Sequence, residues 1–192
     1  MKIKSLGIRY LEKYSEFLSK FQDEKNFHLA TITQKYFYFA ELQIIDFQRN
    51  CEKNFKKNRS IDYNEACYSN AFGFYALIRA CLETSRILCD KMQKKDNTGK
   101  LKEYRQDNFK RIKNIIDIAD DIVKHPQKDQ ITNKVSFYEP GGLDNFGNMY
   151  VYEWLNSGQM GEILEINPIK DCDLVYKYLE NLASIYLENI QN

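Results

Sequence analysis

Residues 112–126, IKNIIDIADDIVKHP, mark the point where helical patterning ends and another pattern begins. The apolar residues of this segment, together with Phe109 before it, recur at the spacing of one helical face: Phe109, Ile112, Ile115, Ile116, Ala119, Ile122 and Val123. Pro126 disfavours helical dihedral angles in the residue before it, so this helix should end near Lys124. His125, one of 2 histidines in the chain, therefore lies at the tip of an apolar stripe.

The composition favours a helical fold and shows no overall affinity for nucleic acid. Only 3 prolines and 8 glycines occur in 192 residues, which favours long helices over strands and turns. A chain of this length can bury a core without disulfides or metal. The 28 Lys and Arg nearly balance the 27 Asp and Glu, so any attraction to nucleic acid would come from a local basic patch.

The five cysteines predict reduced core thiols in a cytoplasmic protein, with a reactive cysteine as the alternative. The longest apolar run, residues 36–40, is too short to span a bilayer, and the N-terminus lacks a signal-peptide core. No metal-ligand spacing, phosphate loop or nucleophile elbow occurs in the sequence. We therefore expect no membrane association, no cofactor and no metal.

Helical periodicity predicts four helices before Pro126, over residues 8–24, 27–55, about 62–94 and 103–124. Asp62 or Asn64 is suited to cap the third helix. The second helix has a broad apolar stripe: Leu29, Ile32, Tyr36, Phe39, Leu42, Ile45 and Cys51, widened by Phe37, Ile44 and Phe47. A helix that is apolar around so much of its girth is central to a bundle or packed against a second chain.

The residues after Pro126 predict a small sheet and a last helix. Segments 135–138, 149–155 and 162–166 favour strands, and Pro140-Gly141-Gly142 should end the first of them. Asp171 or Asp173 is predicted to cap the last helix.

The predicted fold is therefore mainly α, a bundle of about five helices in a single domain of residues 1–192. A small antiparallel β-hairpin or meander lies between the fourth and last helices, in a β-rich insertion of residues 131–168 packed on the bundle.

Two groups of polar residues are candidates for a functional site. Arg79, Glu83, Arg86 and Asp90 follow one another at single helical turns and form a ladder of alternating charges. The ladder is either a solvated salt-bridge face or the edge of a site in a groove of the bundle. The second group is His125 with Asp121 one turn before it.

A histidine at a helix C-terminus, close to a carboxylate, is favoured in its protonated form. Such an imidazolium can act as an acid or contact a phosphate. The alternative is that His125 only caps the helix.

The two longest mid-chain helices, with a polar row in one and an Asp-Asp-x-x-Lys-His end in the other, resemble the HEPN superfamily over about residues 60–126. Members are helical bundles, often dimeric, associated with prokaryotic defence and toxin–antitoxin systems. In active members an arginine, a polar residue and a histidine a few residues later cut RNA without metal. The resemblance implies a helical and dimeric fold, and RNA as a partner.

The resemblance places His125 at the histidine position and Asp120 or Asp121 at the polar position. The arginine of the motif is absent, because Ala119 precedes Asp120. We expect Arg79 or Arg86 to supply the missing cation from the facing helix.

Two functions remain open from the sequence, and with them the question of whether the protein is an enzyme. The first is a HEPN-like protein that binds RNA, or cuts it without metal, with His125 at the centre. The second is a non-enzymatic interaction protein that forms a homodimer or binds a protein partner through aromatic residues of segments 27–55 and 150–155. A small-molecule enzyme has less support, because no Glu stands three residues before either histidine, as di-iron bundles require.

Overall fold

We describe the fold from a computed structural model, in which the described residues are 9, 11–20, 24–56, 61–94, 96–123, 127–128, 135–144, 147–155 and 157–190. These residues form, in order, α1 (Glu12–Ser19), α2 (Glu24–Lys56), α3 (Ile61–Gln93), α4 (Lys100–Val123), β1 (Gln127–Lys128), β2 (Val135–Leu143), β3 (Met149–Leu155), β4 (Met160–Ile166) and α5 (Pro168–Ile190). The prediction of a mainly α fold with a small antiparallel sheet between the fourth and last helices is confirmed.

Helices α2 and α3 run antiparallel along their whole length. In both, buried residues recur at alternating steps of three and four, which is the spacing of a coiled-coil seam. The row of α2 is Ala30, Thr33, Phe37, Ala40, Ile44, Phe47 and Cys51. The row of α3 is Cys67, Ala71, Phe74, Ile78, Cys81, Ser85, Leu88 and Met92. Cys51 and Cys67 meet at one end, with their sulfurs 3.5 Å apart, and Thr33 and Thr84 meet near the other, with their hydroxyls 2.9 Å apart.

The predicted apolar stripe of α2 is buried only in part. Ile32 and Phe39 are 40% and 48% exposed, whereas Phe37 and Phe47, predicted only to widen the stripe, are fully buried. The reason is that α2 carries two apolar rows, and the row with the small residues Ala30 and Ala40 allows the closer approach to α3.

The helix pair also contains neutral polar contacts. The Asn50 amide donates to the Asn70 oxygen at 2.9 Å, and the Asn70 amide donates to Gln43 Oε1 at 3.1 Å. These pairs satisfy polar groups without burying charge.

Helix α5 begins at Pro168, with Asn167 as its N-cap, so the predicted caps Asp171 and Asp173 are wrong. Asn167 Oδ1 accepts a hydrogen bond from the Lys170 amide at 3.0 Å. A proline at the first helical position is favoured because its missing N–H needs no partner there. Asp171 instead accepts a hydrogen bond of 2.5 Å from the Tyr75 hydroxyl and links α5 to α3.

Ion pairs and hydrogen bonds fix α1 and Arg9, three residues before it, on the bundle. The buried Glu41 of α2 accepts hydrogen bonds from the Arg9 amide and the Arg9 Nε, at 2.8 and 2.7 Å. The Glu180 carboxylate of α5 accepts hydrogen bonds from the backbone amides of Lys13 and Tyr14, in the first turn of α1, at 3.0 and 3.2 Å. Helix α1 starts at Glu12 and ends at Ser19, within the segment 8–24 that the periodicity predicts.

The four strands are antiparallel in the order β1-β2-β3-β4. The glycine pair does not end β2, contrary to the prediction: the strand continues to Leu143, and the register shifts between Pro140 and Gly142. Gly141 lies at this bulge against the Tyr152 ring, which leaves no space for a Cβ. Met149, Val151 and Ile166 of the sheet are buried in the same core as the helices.

Two further findings bear on the sequence expectations. None of the helices in the described ranges has the length and hydropathy that a membrane crossing requires. All five cysteines are buried, and none forms a disulfide.

Candidate nucleic-acid interface

Helix α4 is basic in its first two thirds and acidic at its end. Between residues 100 and 114 it has six cations, Lys100, Lys102, Arg105, Lys110, Arg111 and Lys113, and two carboxylates, Glu103 and Asp107. Asp117, Asp120 and Asp121 follow. The helix macrodipole favours the reverse order, with anions in the first turn and cations in the last. Helix stability therefore does not account for this distribution of charge.

A groove of about 530 Å³ runs between α3 and α4. Its floor is apolar and includes Leu82, Ile112 and Ile116. Its α4 rim follows single helical turns, with Lys102, Gln106, Phe109, Lys113 and Asp117 in sequence, and its α3 rim consists of Arg86, Asp90 and Gln93. An apolar floor with charged rims and a volume in this range is typical of ligand-binding sites.

Phe109 is the most exposed large hydrophobic residue that the structure describes, with 64% of its surface accessible. Phe109, which the periodicity places on the apolar stripe of α4, is therefore not buried as Ile112 and Ile115 of that stripe are. Its neighbours one turn away, Arg105 and Lys113, are cationic, so the ring stands at the rim of the groove between positive charges. A solvated aromatic ring in this setting can stack on a planar group such as a nucleobase.

Four cations of α4 have no carboxylate within salt-bridge distance among the described residues: Lys100, Lys102, Lys110 and Arg111. All four are exposed. A shallow depression of about 450 Å³ beside the groove is lined by Lys110, Arg111, Lys113, Asn114 and Asp117. The groove and the depression share Lys113 and Asp117. We call the surface formed by Lys102, Phe109, Lys110, Arg111 and Lys113 the basic face of α4.

The charge ladder of α3 lies along the α3–α4 contact. Arg86 donates to Glu83 at 2.6 Å and lies 3.3 Å from Asp90. The hydrogen bond from Arg86 lowers the pKa of Glu83, so this carboxyl stays ionised and is unsuited to act as a base near neutral pH. Arg105 of α4 completes the network, 2.8 Å from both Asp90 and Gln93.

Arg79, at the other end of the ladder, forms an ion pair with Asp120 of α4 through its Nε. The structure thus brings together an arginine and a carboxylate that the sequence resemblance assigns to the missing cation and the polar position. Both side chains are partly exposed. The pair lies one turn beyond Ile116 and Asp117, at the end of the groove nearest to the C-terminus of α4.

The structure gives less information on the other two predicted site residues, Asp121 and His125. Asp121 is half-buried in the last turn of α4. His125 lies outside the described residues, and with it the predicted contact between His125 and Asp121. Among the predicted candidates, the structure therefore relates Arg79, Glu83 and Arg86 to one another and to Asp120.

The basic face of α4 is the part of the site that the sequence reasoning missed. Its signal was available in the sequence KLKEYRQDNFKRIKN, residues 100–114, where cations cluster around an aromatic residue. The near-zero net charge of the chain concealed this local excess.

Within the described ranges, no group of three or more His, Cys, Asp or Glu side chains is arranged to hold a metal ion. Comparison with protein-family models, with curated proteins and with solved structures gave no match.

Proposed function

We propose that this protein binds single-stranded RNA on the basic face of α4 and in the adjoining α3–α4 groove. The single observation that supports this most strongly is the solvated Phe109 ring, in a segment of α4 whose exposed cations Lys110 and Arg111 have no carboxylate within salt-bridge distance in the described part of the chain. Stacking surfaces bordered by positive charge are the common device of proteins that bind single strands.

The geometry favours a single strand over a duplex. An aromatic ring can stack only on a base that is free of its own neighbours, as in loops, bulges and ends. Lys102, Lys110, Arg111 and Lys113 extend over more than three turns of α4, which allows contacts with successive phosphates. The apolar floor formed by Leu82, Ile112 and Ile116 can accept the edge of an unstacked base.

The choice of RNA rests on the resemblance to the HEPN superfamily. The charge and the aromatic ring alone suit any single-stranded nucleic acid, because every base has a π-face. A DNA strand of the same sequence is therefore the appropriate competitor in the assay.

The test is fluorescence anisotropy with a labelled single-stranded RNA of about twenty nucleotides, a length that covers several binding positions. Replacing Phe109 by Ala should weaken binding by roughly 5- to 150-fold, since stacking on one base contributes about 1–3 kcal/mol. Ile163→Ala is the matched control, because Ile163 is also an exposed hydrophobic residue but lies on β4. Equal affinity of the wild type and Phe109→Ala would contradict the proposal.

Metal-independent RNA cleavage is a second candidate, and the Arg79–Asp120 ion pair favours it. This pair holds the Arg79 guanidinium against the last turns of α4, at Asp120, which precedes His125 by five residues in the sequence. In a cleavage reaction Arg79 would neutralise the phosphate, and His125 would donate or accept a proton. Binding and cleavage would then share one surface.

Cleavage is tested with the same RNA in the presence of a chelator. His125→Ala should abolish cleavage while the affinity for RNA stays within about threefold, because His125 is not among the residues proposed to bind the strand. Arg79→Gln should reduce the cleavage rate in the same assay. Cleavage that survives His125→Ala would overturn this second candidate and leave the binding proposal unchanged.

A further inference from the structure

The outer face of α2 exposes an unusual amount of apolar surface. Of eight large hydrophobic residues exposed in the described structure, four lie on one stretch of this helix: Phe27, Ile32, Tyr38 and Phe39. Single exposed hydrophobic residues are normal, but Ile32 and Phe39 are seven residues apart and so share one helical face, which indicates an interaction surface.

The outer face repeats the spacing of the buried face. His28, Ile32, Lys35, Phe39, Leu42 and Asp46 follow one another at alternating steps of four and three residues. Leu42 is half-exposed and the other five are exposed. The inner row at the same spacing packs against α3, so the outer row has the geometry of a second coiled-coil seam. We call these six residues the outer seam.

The outer seam is complementary to a second copy of itself in the antiparallel direction. Two copies can form an antiparallel coiled coil in the register that places His28 opposite Asp46 of the other copy. In this register Ile32 faces Leu42, and Lys35 faces Phe39. The first pair joins an imidazole to a carboxylate, the second is apolar, and the third places an ammonium over an aromatic ring.

A parallel pairing lacks this complementarity. It would place Lys35 against Lys35 and Asp46 against Asp46, and like charges in contact disfavour an arrangement. Asp46 has one oxygen 3.1 Å from Arg49 of its own helix, which leaves its second oxygen for the imidazole.

We propose that the outer seam of α2 is the interface of an antiparallel homodimer. The interface is isologous, since each contact occurs twice about a two-fold axis. Helix α4 packs against α3 and α5, so the dimer leaves the basic face of α4 uncovered on both copies. This proposal is independent of RNA binding.

The oligomeric state of the full chain tests the interface. Light scattering coupled to gel filtration at about 50 μM should give twice the chain mass of 22.8 kDa, because dimers form by mass action at sufficient concentration. The double variant Ile32→Glu/Phe39→Glu should be monomeric, with the dissociation constant raised at least about tenfold. Ile163→Glu, which adds a charge to an exposed hydrophobic site on β4, should remain a dimer.

If the double variant loses its helical circular dichroism, His28→Asp replaces it, since this exposed substitution places two carboxylates opposite each other. It should shift the equilibrium towards monomer in the same experiment. A wild type that is monomeric at this concentration overturns the proposal, and so does a dimer that Ile163→Glu disrupts but the seam variants do not.

Cross-linking tests the register. Lys35→Cys and Phe39→Cys are prepared separately, and the five native thiols are buried. Oxidation of the mixture should give a disulfide-linked dimer, because Lys35 of one copy faces Phe39 of the other, while Lys35→Cys alone should give none. A dimer from Lys35→Cys alone would indicate the parallel pairing and overturn the proposed one.

Discussion

Helix α3 makes two contacts of opposite character, one with α2 and one with α4. The contact with α2 is closed by apolar side chains and neutral hydrogen bonds, with Phe37, Phe47 and Phe74 fully buried. The contact with α4 is bordered by ion pairs, Arg79 with Asp120 and Asp90 with Arg105, around an open groove. One helix therefore serves both a packed seam and an accessible site.

The difference separates the residues that stabilise the fold from those available for function. A close-packed seam contributes free energy of folding through burial and leaves no space for a ligand. Exposed ion pairs contribute little to stability, and their charges remain accessible to a charged ligand. Substitutions on the α2 side should therefore act on stability, and those on the α4 side on binding.

The largest expected effect is on the α2–α3 seam. Phe74→Ala removes a fully buried ring and should lower the free energy of unfolding by about 3–5 kcal/mol, measured by urea denaturation. Phe109→Ala is the matched control on α4, and its effect should stay within about 0.5 kcal/mol because the ring is exposed. If the two variants lowered the free energy of unfolding by similar amounts, the α2–α3 contact would not be more important for stability than the α3–α4 contact.

An intermediate effect is expected from alkaline pH. Burial raises the pKa of Cys89 from 9.0 to about 11 and that of Cys172 to about 12. Both thiols ionise more readily in the unfolded chain, so the stability they contribute is complete below pH 9.0 and is lost as the pH rises towards their folded-state pKa values.

For Cys89 alone this loss is about 2–3 kcal/mol across the interval, and it should lower the melting temperature measured between about pH 8 and pH 11. Cys89→Ala should reduce the decline, since Ala does not titrate. A decline of the same size in Cys89→Ala would show that other groups account for it.

The smallest effect on stability is expected at the α3–α4 rim. Arg79→Gln breaks the pair with Asp120, but both side chains are partly exposed, so the free energy of unfolding should change by no more than about 1 kcal/mol. The same variant serves in the cleavage assay, where its effect should be larger. A loss of stability comparable with that of Phe74→Ala would contradict this expectation, because it would show that the ion pair stabilises the fold as much as a buried ring does.

The helices were predictable because their signals are local. Scarce prolines and glycines, with apolar residues at helical spacing, predict four helices near their observed positions. Asn167-Pro168 is a helix-start signal that the prediction passed over in favour of Asp171, although asparagine and proline fit the cap and first position better. The bulge at Gly141 depends on the Tyr152 ring of the next strand, so local sequence could not reveal it.

The candidate site was predictable only in part. The spacing of Arg79, Glu83 and Arg86 identifies a charged row, but its partners Asp120 and Arg105 on α4 depend on how two helices align. Phe109 continues the apolar periodicity of α4, so the sequence indicates burial, whereas the ring lies exposed at the rim of the α3–α4 groove. The sequence also left open which side of α2 faces the core, because Ile32 and Phe37 lie on two different apolar rows of this helix.

The central claim, that the basic face of α4 binds single-stranded RNA through successive phosphates, is tested most directly by the salt dependence of binding. In a plot of log Kd against log salt concentration, each phosphate contact on a single strand contributes about 0.7 to the slope. Lys110→Gln with Arg111→Gln should reduce the slope of the wild type by about 1.4, corresponding to two lost contacts. Lys170→Gln with Lys177→Gln, which removes two exposed cations from α5, should leave the slope unchanged. Equal slopes for the wild type and the α4 variant would contradict the claim.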